Sequence, residues 1–307
     1  IQCAGSYGEN RQRQNDEIES VARWDGVTPD ETLVQGGSRT IGIKLCSGLL
    51  NQTKMLPIRY CPLELELELV NAVGDPQHGS TAWNLSDVQI KADLCTLDNA
   101  LENSYAKHLF EGKALPINYS TYISQSQTLT DFNSTVNVAR AVTRLKSTFL
   151  TMSGSAGSGH ANFLEEFNIF WHPMTTESAP GAYNKGKEVE LHVQIGSKLY
   201  PEYPMRSVSE AFSQLRKTMG IHQSPFHSLD INGPQYRSYK FIASVDTEKV
   251  LEAGFTGLNT RAGDLMTIKV KPMDSGVMAS TKPTKFFTVL HSDNIMEIRE
   301  SGITVFD

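Results

Sequence analysis

Leu63 to Leu69 reads Leu-Glu-Leu-Glu-Leu-Glu-Leu. At a side-chain period of two, the four leucines share one face and Glu64, Glu66 and Glu68 share the other. Wound as a helix, the same residues would scatter charge onto every side. The pattern therefore predicts a strand with one wet face, the mark of an antiparallel sheet. Similar alternation places Ile41 and Ile43 on one face of Thr40–Leu45. It also aligns Val88, Ile90, Ala92 and Leu94 within 88–97, and Val189, Leu191, Val193 and Ile195. Met55–Tyr60 reads as a further short strand. Enrichment in β-branched and aromatic residues predicts strands in Ile117–Leu129, Thr135–Met152, Phe163–Trp171, Tyr239–Val245, Leu265–Val270 and Phe286–Leu290. Ile295–Arg299 and Ile303–Phe306 complete the set around a Ser301-Gly302 turn. They are too apolar to be left in water, so the chain's last residues are expected to be ordered strand.

Two helices interrupt the strands. Asp98 is placed to cap one running to about Phe110, with Gly112 as its stop. The clearer one is Ser207–Met219. Ser207 and Glu210 have capping-box spacing, Val208, Ala211, Phe212, Leu215 and Met219 form one apolar stripe, and Gly220 ends it. Asp246 is expected to cap a helical turn ending at Gly254. Residues 1–37 are polar and turn-rich, read as a loop or arm. Gly74-Asp75-Pro76 and Gly79-Ser80 make a polar break, the candidate domain boundary. Beyond it come roughly eight strand regions with long, variable loops and helices inserted between them. Large Greek-key sandwiches such as jelly rolls have this organisation.

Composition narrows the class. The 307 residues, 39% hydrophobic and 20% charged, can bury a substantial core. A net charge of -6 argues against a chain built mainly to neutralise phosphates. Cys3, Cys46, Cys61 and Cys95 show neither CxxC spacing nor a disulfide framework, and read as buried free thiols. The longest apolar runs fall short of a bilayer span. Ile1 in place of methionine, with no signal peptide, suggests a processed product or a part of something longer.

Candidate chemistry is sparse. Ser153–Gly159 is glycine-rich but lacks the Gly-Lys-Ser/Thr ending of a phosphate cradle and does not fit a nucleophile elbow. His222 and His227, near Asp230, are five apart in a segment with Pro225, the wrong spacing for helical metal ligands. Glu64, Glu66 and Glu68 recur about 7 Å apart on one strand face and read as a solvated surface or a subunit contact. Arg140, Arg144 and Lys146 fall on one face of a strand, without the interleaved aromatics of a single-strand binder. Asn51, Asn84, Asn118 and Asn133 stand in glycosylation acceptor patterns that carry no meaning without a secretory leader. No catalytic, cofactor-binding or metal-ligating residue is assigned, and the chain is not expected to be an enzyme.

A set of stretches, read in order, carries a resemblance. They are Ser47-Gly-Leu-Leu, Met55-Leu-Pro-Ile and Leu63-Glu-Leu-Glu-Leu; Ala139-Arg-Ala-Val-Thr-Arg-Leu-Lys-Ser-Thr-Phe; Ile195-Gly-Ser-Lys-Leu-Tyr-Pro; Gly257-Leu-Asn-Thr-Arg-Ala-Gly-Asp; and Val289 to Asp307. Over about Ser38–Asp307 the chain resembles the double jelly-roll major capsid proteins of Polinton-like viruses, virophages and related double-stranded DNA viruses. That resemblance implies an all-β, tandem jelly-roll sandwich with short inserted helices. Residues 1–85 would be an N-terminal arm and the closing strands of a first, incomplete jelly roll, and 86–307 a complete second one. It implies a structural subunit of the virion shell, assembled inside the host cell. Homotrimers of pseudo-hexagonal outline would tile an icosahedral capsid, meeting neighbouring capsomers, penton and minor capsid proteins, with no specific nucleic-acid contact. The earlier strands of the first roll are expected to come from a segment outside this sequence, so the chain alone is not expected to be a stable monomer. The loops Gly154–Gly159, Thr175–Lys187 and Ile221–Arg237, with Tyr183, Phe226 and Tyr236, are the expected trimer contacts. The alternative readings are a carbohydrate-binding sandwich, with Tyr200, Tyr203 and Tyr236 as a loose aromatic set, and a β-sandwich hydrolase using paired acids from distant strands.

Overall fold

The computed structural model describes residues 38, 45, 47–68, 84–153, 170, 172–176, 183–222, 229, 231, 233–238, 240–248, 256–261, 265–274 and 283–307. Nine strands are described: β1 Leu115–Thr128, β2 Ser134–Val138, β3 Leu145–Ser153, β4 Val189–Ile195, β5 Lys198–Met205, β6 Ala243–Asp246, β7 Met266–Pro272, β8 Lys285–Arg299 and β9 Gly302–Phe306. Four α-helices are described with them, α1 Gly48–Asn51, α2 Asn99–Phe110, α3 Val208–Thr218 and α4 Gly233–Ser238, and two short 3-10 helices, Pro173–Thr176 and Lys185–Lys187.

The strands form two sheets, ordered β1-β8-β3-β6 and β2-β7-β4-β5, with β9 added beside β8. Within these sheets β1 pairs with β8, β2 with β7, β3 with β6 and β4 with β5. That nesting is one long antiparallel hairpin of eight strands. Contacts β8·β3 and β7·β4 roll it up, which defines a jelly roll. The expected all-β jelly roll is thus present in the chain from β1 onward.

Alternation fills its interior. Val136 and Val138 of β2, Leu191 and Val193 of β4, and Ile268 and Val270 of β7 are buried in one cluster with Leu150 and Met152 of β3 and Phe286 and Leu290 of β8. Leu191 stands opposite Met205 on one side and Val270 on the other, so β4 is central in its sheet. The strand at Val189–Ile195 matches the sequence pattern residue for residue. β5 was not evident in the sequence because Pro201 and Pro204 argue against a strand. Its place at the sheet edge accounts for both, since an edge strand can lack donors. Opposite the bulge between Leu191 and Val193, residues 201–204 depart from the ladder. Phe286–Leu290 and Ile295–Arg299, read as separate strands, are one. β3 pairs along 285–292 and β9 along 295–299, holding the polar His291–Asn294 stretch extended.

Both predicted helices form. Leu101 N–H donates to Asp98 Oδ1 at 2.7 Å, and Gly112, at φ 77°, follows the end of α2. At α3, Glu210 N–H donates to Ser207 Oγ at 3.1 Å, while Glu210 Oε2 accepts from Arg206 N–H rather than from the cap residue's own. Ala211 and Leu215 are buried and Val208 and Phe212 pack on the core. Met219 lies past the helix end and is exposed.

The chain divides into two compact units, Ile1–Cys46 with Tyr122–Ser292, and Ser47–Thr121 with Asp293–Asp307. The second has its own small core of Cys61, Ile117, Met296 and Ile298, flanked by Leu49, Leu56, Tyr60, Leu115 and Tyr119. There α1, absent from the sequence reading, begins at a glycine for steric reasons: a Cβ on Gly48 would collide with the Ser120 carbonyl oxygen.

Several expectations are corrected here. Met55–Tyr60 is a turn, closed by Tyr60 and Cys61 N–H donating to the Pro57 carbonyl, because proline presets the turn and lacks a donor. Leu63–Glu68 carries no strand ladder, and its leucines are exposed alongside its glutamates. Residues 88–97 have neither ladder nor burial. Asp246 does cap a turn, accepting from Glu248 N–H at 2.9 Å, but the rest to Gly254 lies outside the described residues. So do the Gly74 break, all of Thr40–Leu45 except Leu45, and all of Phe163–Trp171 except Phe170.

The core predicts its own test. Ile268→Ala, at a fully buried site on β7, should cost about 2–5 kcal/mol in chemical denaturation. Ile303→Ala, on half-exposed β9, should cost less than about 1 kcal/mol. Equal losses would mean that β9 belongs to the folding core.

Candidate functional site

The candidate reactive residues that are described do not converge. Ser153 ends β3 fully buried, and residues 154–159 lie outside the described set. His222 is exposed beyond α3, and His227 and Asp230 are not described. Among the described residues, no group of three His, Cys, Asp or Glu could hold a metal ion. Arg140 and Arg144 lie in the link between β2 and β3, and only Lys146 is on a strand, 3.5 Å from Glu248. The three cations therefore do not share a strand face, because β2 ends at Val138. Cys61 is a buried free thiol, as expected, whereas Cys95 is free but exposed; Cys3 and Cys46 are not described. Asn51, Asn84, Asn118 and Asn133 are all exposed.

The aromatic candidates separate. Tyr203 is 81% exposed, Tyr200 packs against the core, and Tyr236 is 3% exposed. Tyr236 lies edge-on to Phe212 at 5.0 Å, and its hydroxyl donates to the Ile242 carbonyl at 2.7 Å. It is a core residue, neither a sugar platform nor a subunit contact, because α4 folds it inward. Phe226 is not described. Tyr183 is exposed.

The structure also joins residues that sequence reasoning had left apart. Ser147 Oγ lies 3.1 Å from His291 Nδ1, and His291 stacks on Tyr122 at 4.7 Å. At 3% exposure, Ser147 offers a substrate no access. Two stretches quoted for the resemblance are stitched together. Leu145 and Leu258 exchange backbone hydrogen bonds at 2.9 and 2.8 Å, and Val142 N–H donates to Thr260 Oγ1 at 2.8 Å.

A buried ionisable group anchors α3. The Glu188 carboxylate accepts from Val208 N–H at 3.1 Å, in the first turn of the helix. His172 Nε2 lies 3.8 Å from Glu188 Oε2, and His172 Nδ1 accepts from Met174 N–H at 3.0 Å. Burial raises the Glu188 carboxyl to about 7; Val208 N–H opposes, Glu210 adds to the rise, and Tyr183 and Arg237 oppose it. Burial, with the Arg237 charge, lowers His172 to about 3. Nothing in Gly186-Lys187-Glu188-Val189 signals a buried carboxylate, since the fold alone brings Val208 and His172 to it.

Among the described residues, two segments and one strand expose apolar side chains. Leu63, Leu65 and Leu67 are 51, 38 and 53% exposed, and Val88 and Ile90 are 63 and 64% exposed, all in extended segments without a ladder. On β9, Ile303 and Val305 continue the face of Ile298 and Met296 yet stay half open.

The fold defined by the strand order is that of jelly-roll proteins, many of which build viral shells or bind sugars. No family model matches the chain, and no curated protein does. Solved structures do. One is Vp54 of PBCV-1 fitted into a reconstruction of the virophage Sputnik, with 10% identity, TM-score 0.39, and 68% of this chain and 54% of that one covered. A second is the PBCV-1 virus capsid, at 8%, 0.37, 66% and 54%. A third is the Sputnik virophage, at 8%, 0.32, 62% and 38%. The chain spans about half the length or less of the structures it matches.

The buried pair predicts a stability profile. Glu188 holds its proton more tightly when folded than the ordinary 4.5, so its contribution is full below pH 4.5 and lost as pH rises through 7. His172 is neutral when folded down to about 3 against an ordinary 6.5, so its contribution is full above 6.5 and lost as pH falls toward 3. The two oppose between 4.5 and 6.5. Glu188→Gln should remove the fall through pH 7, worth on the order of 2–3 kcal/mol, and leave the acid limb. Denaturation midpoints from pH 3 to 8 check this; an unchanged alkaline limb refutes it.

Proposed function

We propose that the chain is a structural subunit of a viral capsid, resident in the virion, and that its function is assembly rather than catalysis. The observation that carries this reading is the jelly-roll strand order combined with extended, apolar, unpaired segments on the same chain. The roll supplies a rigid block, and Leu63–Glu68, residues 88–97 and β9 supply surface that gains stability only by contact. The ordered sequence resemblance to double jelly-roll major capsid proteins points the same way.

In this reading, copies assemble as homotrimers. A tandem roll gives two similar wedges per chain and six per trimer, a near-hexagonal block suited to an icosahedral shell. Strands that complete a first roll, neighbouring capsomers and penton and minor capsid proteins are its partners. Of the expected aromatic contacts, Tyr183 is exposed and remains; Tyr236 does not, because it is buried, and Phe226 lies outside the described residues.

Particle imaging tests the proposal. The expressed protein, or material from its native source, should show shells or near-hexagonal capsomers. Leu65→Glu with Leu67→Glu should abolish them while changing the thermal unfolding free energy by less than about 1 kcal/mol, since both sites are exposed. A folded parent that stays a monodisperse monomer would refute a capsid role.

A further inference from the structure

The outward face of the β2-β7-β4-β5 sheet is the opposite of the core face in chemistry. Val136, Leu191, Val193, Ile268 and Val270 point inward, so Thr135, Glu190, His192, Lys269 and Lys271 point outward. Register places Thr135, Lys269 and His192 in one row across three strands, with Lys271 beside Glu190 in another. Glu190 is already engaged by Arg206 at 3.0 Å. Lys269 and Lys271 are exposed and have no ion-pair partner among the described residues. His192 is 9% exposed, and its Nδ1 has no hydrogen-bond partner. Burial and the Lys269 charge lower its pKa, with the Glu190 charge opposing. Two exposed ammonium groups on a face whose Glu190 carboxylate is engaged by Arg206 leave that face short of negative charge.

The same chain carries that charge in matching form. Glu64, Glu66 and Glu68 are exposed on an extended segment with no ladder partner. Their repeat of two residues along an extended backbone, about 7 Å, is the repeat of Lys269 and Lys271 on β7. Apart from this ladder match, a closed cyclic assembly needs two different patches on each copy, one facing each neighbour.

We infer that the outer face of the β2-β7-β4-β5 sheet is the docking surface for the Glu64–Glu68 ribbon of a second copy of this chain, an inference that rests on the assembly role proposed above. Lys269 and Lys271 neutralise the glutamates. The contact is heterologous, with acidic ribbon on one copy and basic sheet on the next, so it sets the direction in which copies follow one another.

Zero-length carbodiimide coupling on the native protein tests it, because that reagent joins a carboxylate to an amine only where the two are in ion-pair contact. Particles or oligomers co-assembled from light and isotope-labelled copies are coupled, digested and read by mass spectrometry. Peptides containing Glu64–Glu68 should be joined to peptides containing Lys269 or Lys271, with mixed-isotope pairs as abundant as same-isotope ones. Same-isotope pairs alone, or no such pair, overturn the inference. Lys269→Glu with Lys271→Glu should weaken association in sedimentation velocity on the order of tenfold or more. Adding Glu64→Lys, Glu66→Lys and Glu68→Lys to that variant, so that every copy carries the swapped pair, should restore it, and failure of the swap to restore it also counts against the contact. If the parent forms capsomers without this coupling, the docking fails and the capsid reading stands. If coupling occurs but only open chains or dimers form, the docking stands and the capsid reading fails.

Discussion

Pairing between strands far apart in the chain is the constraint on which the rest of this structure depends. Each early strand finds its ladder with a late one: β1 with β8, β2 with β7, β3 with β6. Of the eight strands of the roll, only β4 and β5 are neighbours in sequence as well as in space; β9 adds a second local pairing, to β8. Until β7 and β8 are in place, β2, β3 and β4 have unpaired backbone groups and an open apolar face. The long-range ladders therefore set the inward and outward sides of every strand at once, because a slip of one residue would turn Leu191, Ile268 and Val136 outward together.

Smaller interactions fix what the ladders leave loose. Thr260 and Leu258 tie a late segment to Val142 and Leu145 at the entry to β3. Tyr236 uses its ring to fill the core and its hydroxyl to satisfy the Ile242 carbonyl. Glu188 holds the first turn of α3, so a helix inserted between β5 and β6 is anchored by a carboxylate preceding β4. That carboxylate and His172 are buried with few polar partners, and the result is opposite titration of two neighbouring groups.

Where the ladders stop, the chain still carries strand-like sequence. Leu63–Glu68 has the period of a half-buried strand with neither ladder nor cover. β9 extends the buried face of β8 without burying its own Ile303 and Val305. The roll closes its own apolar faces, and these segments leave theirs open. The same contrast separates the surfaces: an inner sheet face closed by packing, and an outer one bearing lysines and an unsatisfied imidazole.

The sequence by itself determined the elements whose signal is local. Val189–Ile195 alternates and forms β4. Ser207 and Asp98 cap the helices they precede, and Gly112 follows the end of α2, because a cap or a period acts within one turn or one strand. The jelly-roll class was legible from strand number, inserted helices and the ordered resemblance. Tertiary structure decided whatever depended on a partner. The alternation at Leu63–Glu68 could not tell whether a neighbour exists, and here no ladder forms. The prolines that hid β5 are harmless because that strand lies at an edge. Polar His291–Asn294 is held within one long β8 by β3 before it and β9 after it. Tyr236, read as a surface aromatic, is core. Glu188 and His172 have no sequence signal, because burial and the distances of 3.1 Å to Val208 N–H and 3.8 Å between the pair arise only when segments distant along the chain meet. Local pattern specifies which face a residue can share, and long-range packing alone specifies what that face meets.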